Sequence, residues 1–248
     1  MIRPKIFRDP DSPQALMTVR GRGKGTLRHN YSYAVGDKPA LVTRRRAALA
    51  KRCGFDPTSF IILRQTHSAT VHVIDDTPLL SPETEGDALI TSQDDILLGV
   101  TIADCVPILL FDRKQRVVAA IHSGWRGTEK KIATATIARM CEEYGSDPTD
   151  IRAWVGPSAG GCCYEVGADV ADRFDKKYHR PIDNEKFLLD TRRVIVGDLI
   201  ASGLPSTSID LAIRCTICDP TLHSWRRDAV GSGRMIAVIG MRSADRSG

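Results

Sequence analysis

Three polar segments interrupt strongly apolar stretches of the chain, and each carries a histidine or a cysteine. They are residues 63–67, 101–107 and 120–128. Their candidate ligands are His67, Cys105 and His122, and two imidazoles with one thiolate form a zinc-binding set. Three protein ligands leave a fourth position open, as catalytic zinc sites do. Trigonal copper sites use the same set but usually add a weak axial methionine. No methionine lies near these segments, so we rank zinc above copper.

The long intervals between these three residues match no short metal motif, and other interpretations stay open. His67 and His122 could be hydrogen-bonded core histidines, and Cys105 a small buried apolar residue. A metal-free enzyme could use Cys105 as a nucleophile with His122 as its base. Asp104, beside Cys105, is a candidate for proton transfer and equally a candidate for a buried structural carboxylate.

The segment after His122 indicates a pocket for an anion. Gly124 allows a tight turn, and we predict a helix that begins with Thr128 as its N-cap. The free N–H groups at a helix N-terminus favour anions. Arg126 in this turn, and Arg64 before the first histidine, would add charge-assisted donors.

The elements that must position these residues follow from apolar periodicity and helix caps. Residues 1–28 are rich in Arg, Gly and Pro, so we expect them to be irregular. Strands outnumber helices and occur in clusters, which favours an α+β fold, a layered sandwich of mixed β-sheets with helices on the outer faces. Helices are predicted over about 37–54, 128–144, 168–178 and 190–202. Strands are predicted at 60–63, 71–74, 87–91, 96–100, 106–111, 117–121, 151–155, 209–215 and 235–241.

Composition restricts the class of protein. The 248 residues are 42% hydrophobic and 26% charged, which excludes wholesale disorder and fits a single domain over 1–248. No apolar run approaches the roughly 20 residues of a membrane-spanning helix, and the N-terminus lacks the apolar core of a signal peptide. We therefore expect a cytoplasmic protein without a membrane partner. Its oligomeric state is left open.

The charge is only mildly basic. A net charge of +5 is too small to indicate a nucleic-acid partner. We interpret the arginine run 44–46 as a solvated helix face. The mild excess of positive charge fits a basic pocket for a small anion equally well.

Seven cysteines, without a secretory signal, argue for reduced thiols. Cys215 and Cys218 form a single C-x-x-C pair, which we interpret as structural because no second such pair follows. Adjacent cysteines rarely ligate one metal. Of Cys162 and Cys163 we therefore interpret one as packing and the other as a candidate for lining a pocket.

The motifs resemble those of a known family in their order along the chain and in their residue types. They are L-R-Q-T-H at 63–67, G-D-A-L-I-T at 86–91, T-I-A-D-C-V-P at 101–107, H-S-G-W-R-G-T at 122–128, C-C-Y-E-V at 162–166 and S-W-R-R-D at 224–228. The sequence resembles the family once called the multicopper polyphenol oxidase or laccase domain, later described as purine nucleoside phosphorylase and also as peptidoglycan editing factor. The resemblance covers about residues 15–241. Residues 18–23 depart from the family's N-terminal block.

The resemblance implies a zinc ion held by His67, Cys105 and His122, with Cu²⁺ as the less favoured ion. It implies phosphorolysis of adenosine, inosine or methylthioadenosine to the free base and ribose 1-phosphate, with adenosine deamination as a second activity. Zinc lowers the pKa of water to about 7, which suits deamination. Cys105 and Asp104 are then the candidate catalytic residues. The candidate substrate or phosphate ligands are Arg64, Gln65, Arg126, Arg227 and Asn30.

Three alternatives remain at this point. The first is a hydrolase that acts on a peptidoglycan precursor, with the same metal or with Cys105 as nucleophile. The second is a copper-dependent polyphenol oxidase. The third is a non-catalytic protein with a structural zinc ion.

Overall fold

The computed structural model describes residues 1–9, 11–21, 25, 27–75, 81 and 83–243. Its strands are β1 Gln14–Met17, β2 Phe60–Ile62, β3 Val71–Val73, β4 Ala88–Thr91, β5 Leu97–Ile102, β6 Val106–Asp112, β7 Val117–Ser123, β8 Ile151–Val155, β9 Glu165–Gly167, β10 His179–Pro181, β11 Lys186–Leu189, β12 Ile209–Leu211 and β13 Met235–Gly240. Its helices are α1 Pro39–Cys53, α2 Trp125–Glu129, α3 Ile132–Tyr144, α4 Ala168–Ala171, α5 Thr191–Ala201 and α6 Trp225–Asp228.

The described strands form three sheets. A six-stranded sheet has the order β12-β8-β6-β7-β4-β3, and a four-stranded sheet has the order β1-β13-β5-β2. A small third sheet has the order β10-β11-β9. Both larger sheets are mixed, since β12 pairs with β8, β3 with β4, and β2 with β5 in parallel, while the other neighbours are antiparallel.

The two larger sheets pack face to face, and helices cover their outer faces. Along β6, Leu109 and Phe111 point between the sheets, whereas Ile108 and Leu110 point to the other face. That other face packs against α3 and α5. Helix α1 packs on the outer face of the four-stranded sheet. The predicted α+β sandwich of mixed sheets is confirmed, and burial on both faces explains the continuous apolar runs of its central strands.

The helix predicted from Thr128 is wrong at its start. Two helices stand there, α2 and α3, and Lys131 between them has a left-handed backbone with a φ of 60°. Thr128 lies inside α2, where its hydroxyl donates to the Gly124 carbonyl at 3.0 Å. Gly124 is the N-cap of α2. A helix of five residues sums few peptide dipoles, so the anion site expected at a helix N-terminus loses most of its basis.

Several other boundaries also differ from the sequence predictions. Helix α4 covers only four of the residues predicted as helix at 168–178, and β12 only three of those predicted as strand at 209–215. Strand β1 lies in the segment expected to be irregular. Helices α1 and α5 are confirmed. Gly54 ends α1 with a φ of 85°, as predicted, and the Asp190 side chain accepts from the Arg193 N–H at the start of α5, as predicted for its N-cap.

Residues 22 and 23 of the atypical N-terminal block lie outside the described residues. Among the residues that are described, no helix has the length and apolar character needed to cross a membrane.

Candidate functional site

Two of the three predicted metal ligands are fixed by one antiparallel strand pair. Cys105 immediately precedes β6, and His122 lies in β7, where it pairs with Pro107 of β6. The sheet register therefore sets the separation of the Cys105 thiol and the His122 imidazole. The third ligand, His67, lies in a loop between β2 and β3.

The three side chains converge, as the sequence predicts. Their ligand atoms all lie within 4.8 Å of one another. The Cys105 Sγ lies 3.7 Å from the His67 Nε2, and the two imidazole rings meet edge to face with 4.8 Å between their centroids. Three donors at this separation can hold one metal ion.

The carboxylate of Asp87, which directly precedes β4, is buried and contacts two of the ligand-bearing segments. The His122 Nδ1–H donates to the Asp87 Oδ1 at 2.8 Å, which leaves the Nε2 lone pair for a metal. The backbone N–H groups of Thr66, His67 and Ser68 donate to the same carboxylate at 3.2, 3.1 and 2.6 Å. Asp87 therefore fixes the tautomer of one ligand and the loop that carries another.

Two local features show how closely the loop fits the site. His67 has a left-handed backbone, with a φ of 58°, which costs a non-glycine residue roughly 1–2 kcal/mol. The hydrogen bonds to Asp87 hold it there. A Cβ atom at Gly124 would lie 2.7 Å from the His67 Cδ2 and 3.0 Å from the Cys105 Sγ. Glycine at position 124 is therefore required for the two ligands to approach each other.

The charges of the ligands are strongly coupled. Burial raises the pKa of Cys105, but the imidazoles of His122 and His67 outweigh burial and lower the pKa to about 6. Burial lowers the pKa of His122, but the Cys105 thiolate and the Asp87 carboxylate outweigh burial and raise the pKa to about 9. Each group therefore favours the charged form of the other, the thiolate of Cys105 and the imidazolium of His122. A metal ion would replace the imidazolium proton.

Asp104 has a structural environment. Its Oδ1 accepts from the Thr216 hydroxyl at 2.6 Å, and its Oδ2 accepts from the Arg226 N–H at 2.7 Å. It has a left-handed backbone with a φ of 82° and directly precedes Cys105. These contacts join the Cys105 turn to the segment that carries residues 216–226.

The three ligands line a cavity of about 680 Å³. Ser32, Leu63, Thr101 and Thr191 are among its other wall residues. Aromatic side chains also contribute to the wall, namely Tyr33, Trp125, Tyr164 and Trp225. So do five arginines, namely Arg46, Arg64, Arg126, Arg226 and Arg234.

The arginines of the wall differ in their partners. Arg64 is ion-paired with Glu85 and lies 4.0 Å from Glu83. Among the described residues the other four wall arginines make no ion pair and instead lie over aromatic rings. The Arg126 guanidinium lies over Trp125, Arg226 over Tyr164, Arg234 over Trp225 and Arg46 over Tyr33, at 4.2 to 5.3 Å from the ring centroids.

The remaining predicted ligands have other partners. Gln65 lines the cavity, but its amide bonds to the backbone and hydroxyl of Thr101. Arg227 donates to the carbonyls of four residues of the 216–222 turn and to Asp228. Asn30 is buried and bonds to Ser32, Asp37 and the Arg234 N–H. Neither Arg227 nor Asn30 is among the described residues of the cavity wall.

Sequence reasoning missed Asp87, Arg46, Arg226 and Arg234. Asp87 carries a signal, since it is a carboxylate directly before a buried strand. Arg46 belongs to the run interpreted as a solvated face, but Arg45 and Arg46 are partly buried and only Arg44 of that run is exposed. The family motif contains both Arg226 and Arg227, and the sequence does not show which of the two lines the cavity.

A second group of donors lies elsewhere in the described chain. Cys162, Cys163, Cys215 and Cys218 bring four sulfur atoms within 4.8 Å of one another. Cys162 and Cys163 thus share one cluster, contrary to the interpretation of one as packing and the other as pocket-lining.

The fold and the first cluster together define an α+β protein in which two histidines and a cysteine that could hold a metal ion line a cavity with five arginines in its wall. Residues 14–242 match the family described as multi-copper polyphenol oxidoreductase laccase, and the chain belongs to this family.

Relatives with assigned activities cover most of the chain. A protein named adenosine deaminase RL5, from an unidentified prokaryote, is 36% identical over 91% of this chain and 93% of its own length. A purine nucleoside phosphorylase of Corynebacterium glutamicum is 38% identical over 83% of each chain. The purine nucleoside phosphorylase YlmD of Bacillus subtilis is 32% identical over 87% of this chain and 82% of its own.

Solved structures agree with the fold. YlmD from Geobacillus stearothermophilus superposes with a TM-score of 0.87 at 28% identity, over 97% of this chain and all of its own. The hypothetical protein YfiH of Bacillus licheniformis superposes with a TM-score of 0.88, also at 28% identity, over 92% of each chain.

Proposed function

We propose that this protein is a zinc-dependent purine nucleoside phosphorylase that also deaminates adenosine. The observation that carries the proposal is the position of the triad, which has three ligands and opens into a cavity whose wall combines arginines with aromatic rings. The relatives named as phosphorylases and as an adenosine deaminase support the same two activities.

The donor set fits zinc. Two imidazoles and a thiolate leave one position of a tetrahedron open, and Asp87 supplies the carboxylate partner that metal-bound histidines usually have. Gly124 keeps the space between His67 and Cys105 clear. A bound Zn²⁺ would supply Lewis acidity to an oxygen atom of the substrate or of water.

The arginines without an ion pair would bind phosphate. Phosphorolysis requires a phosphate oxygen to bond to C1′ of the ribose while the bond from C1′ to the purine nitrogen breaks. Arg126 and Arg226 are exposed and held by stacking, so their N–H groups are available to a phosphate. Arg64 is less suited because glutamates already neutralise it.

The purine would stack on an aromatic side chain of the wall. Trp225 is 46% exposed and Tyr33 is 48% exposed, and both belong to the cavity wall, so each leaves ring surface uncovered for a purine. Asp104 is better suited to positioning than to proton transfer, because both its oxygens already accept hydrogen bonds.

Copper-dependent phenol oxidation has weaker support. The described cavity wall contains two histidines, one cysteine and no methionine, a donor set for a single ion without an axial thioether. A thiolate at Cys105 would also suit the metal-free alternative, in which Cys105 is a nucleophile. The test therefore includes removal of the metal by a chelator.

The test is a nucleoside assay on protein whose metal content has been measured, with and without inorganic phosphate. We expect zinc-dependent formation of ribose 1-phosphate from adenosine and inosine, and slower release of ammonia from adenosine. Cys105→Ser should abolish both reactions while the circular dichroism spectrum is kept. Arg126→Gln should raise the KM for phosphate, whereas the control Arg139→Gln, on the exposed face of α3, should not.

Two results would contradict the proposal. One is turnover of nucleosides that survives complete chelation, which would support the Cys105 nucleophile. The other is copper in the purified protein together with oxidation of phenols, which would support the oxidase.

A further inference from the structure

The four clustered cysteines come from two turns that are far apart in the chain. Cys162 and Cys163 lie in a tight turn after β8, where the N–H groups of Cys163 and Tyr164 both bond to the Gly160 carbonyl. Cys215 and Cys218 lie in the turn after β12. The curvature of the first turn brings both adjacent thiols to the same side, so adjacency does not prevent them from sharing one partner.

The sulfur positions fit one tetrahedral ion. The Cys163 Sγ lies 3.4, 3.3 and 3.2 Å from the sulfur atoms of Cys162, Cys215 and Cys218, and the Cys162 and Cys218 sulfur atoms are 3.7 Å apart. A zinc–sulfur bond of about 2.3 Å gives a tetrahedron whose edge is about 3.8 Å. Cys163 is almost equally close to three other thiols, which is convergence on one point and not a division into two pairs.

The backbone around Cys215 is arranged for a thiolate. The Gly160 N–H donates to the Cys215 Sγ at 3.3 Å. N–H groups aimed at a sulfur stabilise its anion, which is the form that binds a metal.

The two turns are also held together by protein contacts. Ser158 and Cys215 form an isolated parallel β-bridge, in which the Thr216 N–H donates to the Ser158 carbonyl at 3.0 Å. The Arg227 guanidinium donates to the carbonyls of Thr216 and Ile217. Cys215 is buried, whereas Cys162 and Cys218 are exposed. The cluster therefore has a preformed inner side and an outer side that an ion can reach from solvent.

We propose that Cys162, Cys163, Cys215 and Cys218 bind one Zn²⁺ ion in a closed, structural site that is separate from the His67–Cys105–His122 triad. Four protein ligands leave no position for a substrate. The ion would hold together the turn that precedes Tyr164 of the cavity wall and the turn that carries Thr216. Tyr164 follows Cys163, and Thr216 follows Cys215 and donates to Asp104 beside Cys105. The four-cysteine site does not rest on the proposed function; only the second zinc ion counted below, at the triad, does.

The test is metal analysis of chains purified under reducing conditions. The wild type should contain two zinc ions per chain. The double variant Cys162→Ser/Cys218→Ser, which changes only the two exposed thiols, should contain one. The variant Cys105→Ser should also contain one zinc ion, because it loses the ion of the triad and keeps the ion of the four-cysteine site. Cys141→Ser, which changes a cysteine outside both clusters, should keep two.

Cobalt distinguishes the sites even if the double variant fails to fold. Cys105→Ser loaded with Co²⁺ should show the intense thiolate-to-cobalt absorption of a four-sulfur site. The proposal is overturned if that absorption is missing, or if the double variant holds as much zinc as the wild type. It is also overturned if the native intact mass, measured without reductant, is lower by the hydrogens lost in disulfide formation.

Discussion

The two clusters of candidate metal ligands differ in the groups that hydrogen-bond to their ligands. At the triad the support is a side chain, the buried carboxylate of Asp87, which orients His122 and the loop of His67. At the four-cysteine cluster the support is backbone, with the Gly160 N–H directed at Cys215. The triad opens on the cavity, whereas the four-cysteine cluster supplies a complete set of protein ligands. Open coordination is typical of reactive metal sites and closed coordination of structural ones.

The two clusters are also connected. Thr216 of the C-x-x-C turn donates to Asp104, and Asp104 precedes the triad ligand Cys105. The backbone N–H of Ala159, just before the turn of Cys162 and Cys163, also donates to the Asp104 carbonyl at 2.9 Å, so a change at the four-cysteine cluster can reach the triad through Asp104. The following variants separate the two, from the largest expected effect to the smallest.

Gly124→Ala should affect only the triad. The added methyl group would lie 2.7 Å from the His67 ring, so a ligand must move. A displacement of this kind costs about 100-fold in turnover, and we expect metal analysis to show loss of zinc from the triad alone. Gly145→Ala is the control, because an added Cβ at Gly145 would meet no atom within 4 Å and would strain only the left-handed backbone there, with its φ of 65°. Equal losses in both variants would show that crowding of the ligands is not the cause.

Asp87→Asn should weaken metal binding at the triad by about 10–100-fold, as loss of the carboxylate partner of a metal-bound histidine does. Competition with a chromogenic chelator measures this affinity. Asp112→Asn is the control, since Asp112 is equally buried and accepts two N–H groups in the turn at the other end of the β6–β7 pair. The control should lose stability without losing metal. Unchanged affinity in Asp87→Asn would remove Asp87 from the metal site.

Thr216→Val tests the connection between the clusters. The change keeps the side-chain shape but leaves the buried Asp104 Oδ1 without its donor, at a cost of about 1–3 kcal/mol of unfolding free energy. We expect turnover to fall by about 10-fold while both metals stay bound. In the control Thr136→Val the lost hydroxyl bonds only within its own helix. If the two variants behave alike, the clusters do not communicate through this bond.

A second buried histidine, His223, gives a contrast in protonation with His122. His223 lies outside both clusters, and its Nδ1 accepts from the Gly233 N–H while its Nε2–H donates to the Arg28 carbonyl. Burial lowers its pKa to about 4, against an ordinary value of 6.5. Its contribution to stability is therefore complete above pH 6.5 and is lost as the pH falls towards 4, by about 3 kcal/mol in total.

Chemical unfolding of the wild type and His223→Gln across this range measures the effect. We expect the difference in unfolding free energy between them to narrow as the pH falls. A difference independent of pH would mean that the fold does not keep His223 neutral. Nucleoside turnover by His223→Gln at neutral pH should differ little from that of the wild type.

The sequence predicted the triad because each ligand interrupts an apolar strand at its end, and strand ends meet in a sheet. It did not predict Asp87 as a site residue, because the role of this carboxylate depends on the register that sets β4 beside β7 and on a loop that folds back over it. The arginines of the wall were only partly predictable. Arg226 and Arg227 are neighbours of the same type, and only their contacts distinguish a cavity residue from one that holds a turn.

The layered fold followed from the clustering of apolar strands, whereas local boundaries did not. The break between α2 and α3 depends on the left-handed backbone of Lys131, which nothing in its residue type requires. Strands of three or four residues, as in the sheet formed by β9, β10 and β11, are too short to give an alternating pattern. The four-cysteine cluster depends on two turns that only the tertiary structure brings together.

The pairing of Pro107 with His122 has a consequence for how the triad is loaded. Two of its three ligands are held by the ladder of a central strand pair, so capturing an ion orders little new chain and most of the conformational entropy of the site is already lost on folding. Loading and unloading of the ion should leave the shape of the surrounding walls almost unchanged. The holo and empty proteins would then show similar amide hydrogen exchange in β6 and β7, with differences confined to the loop of His67.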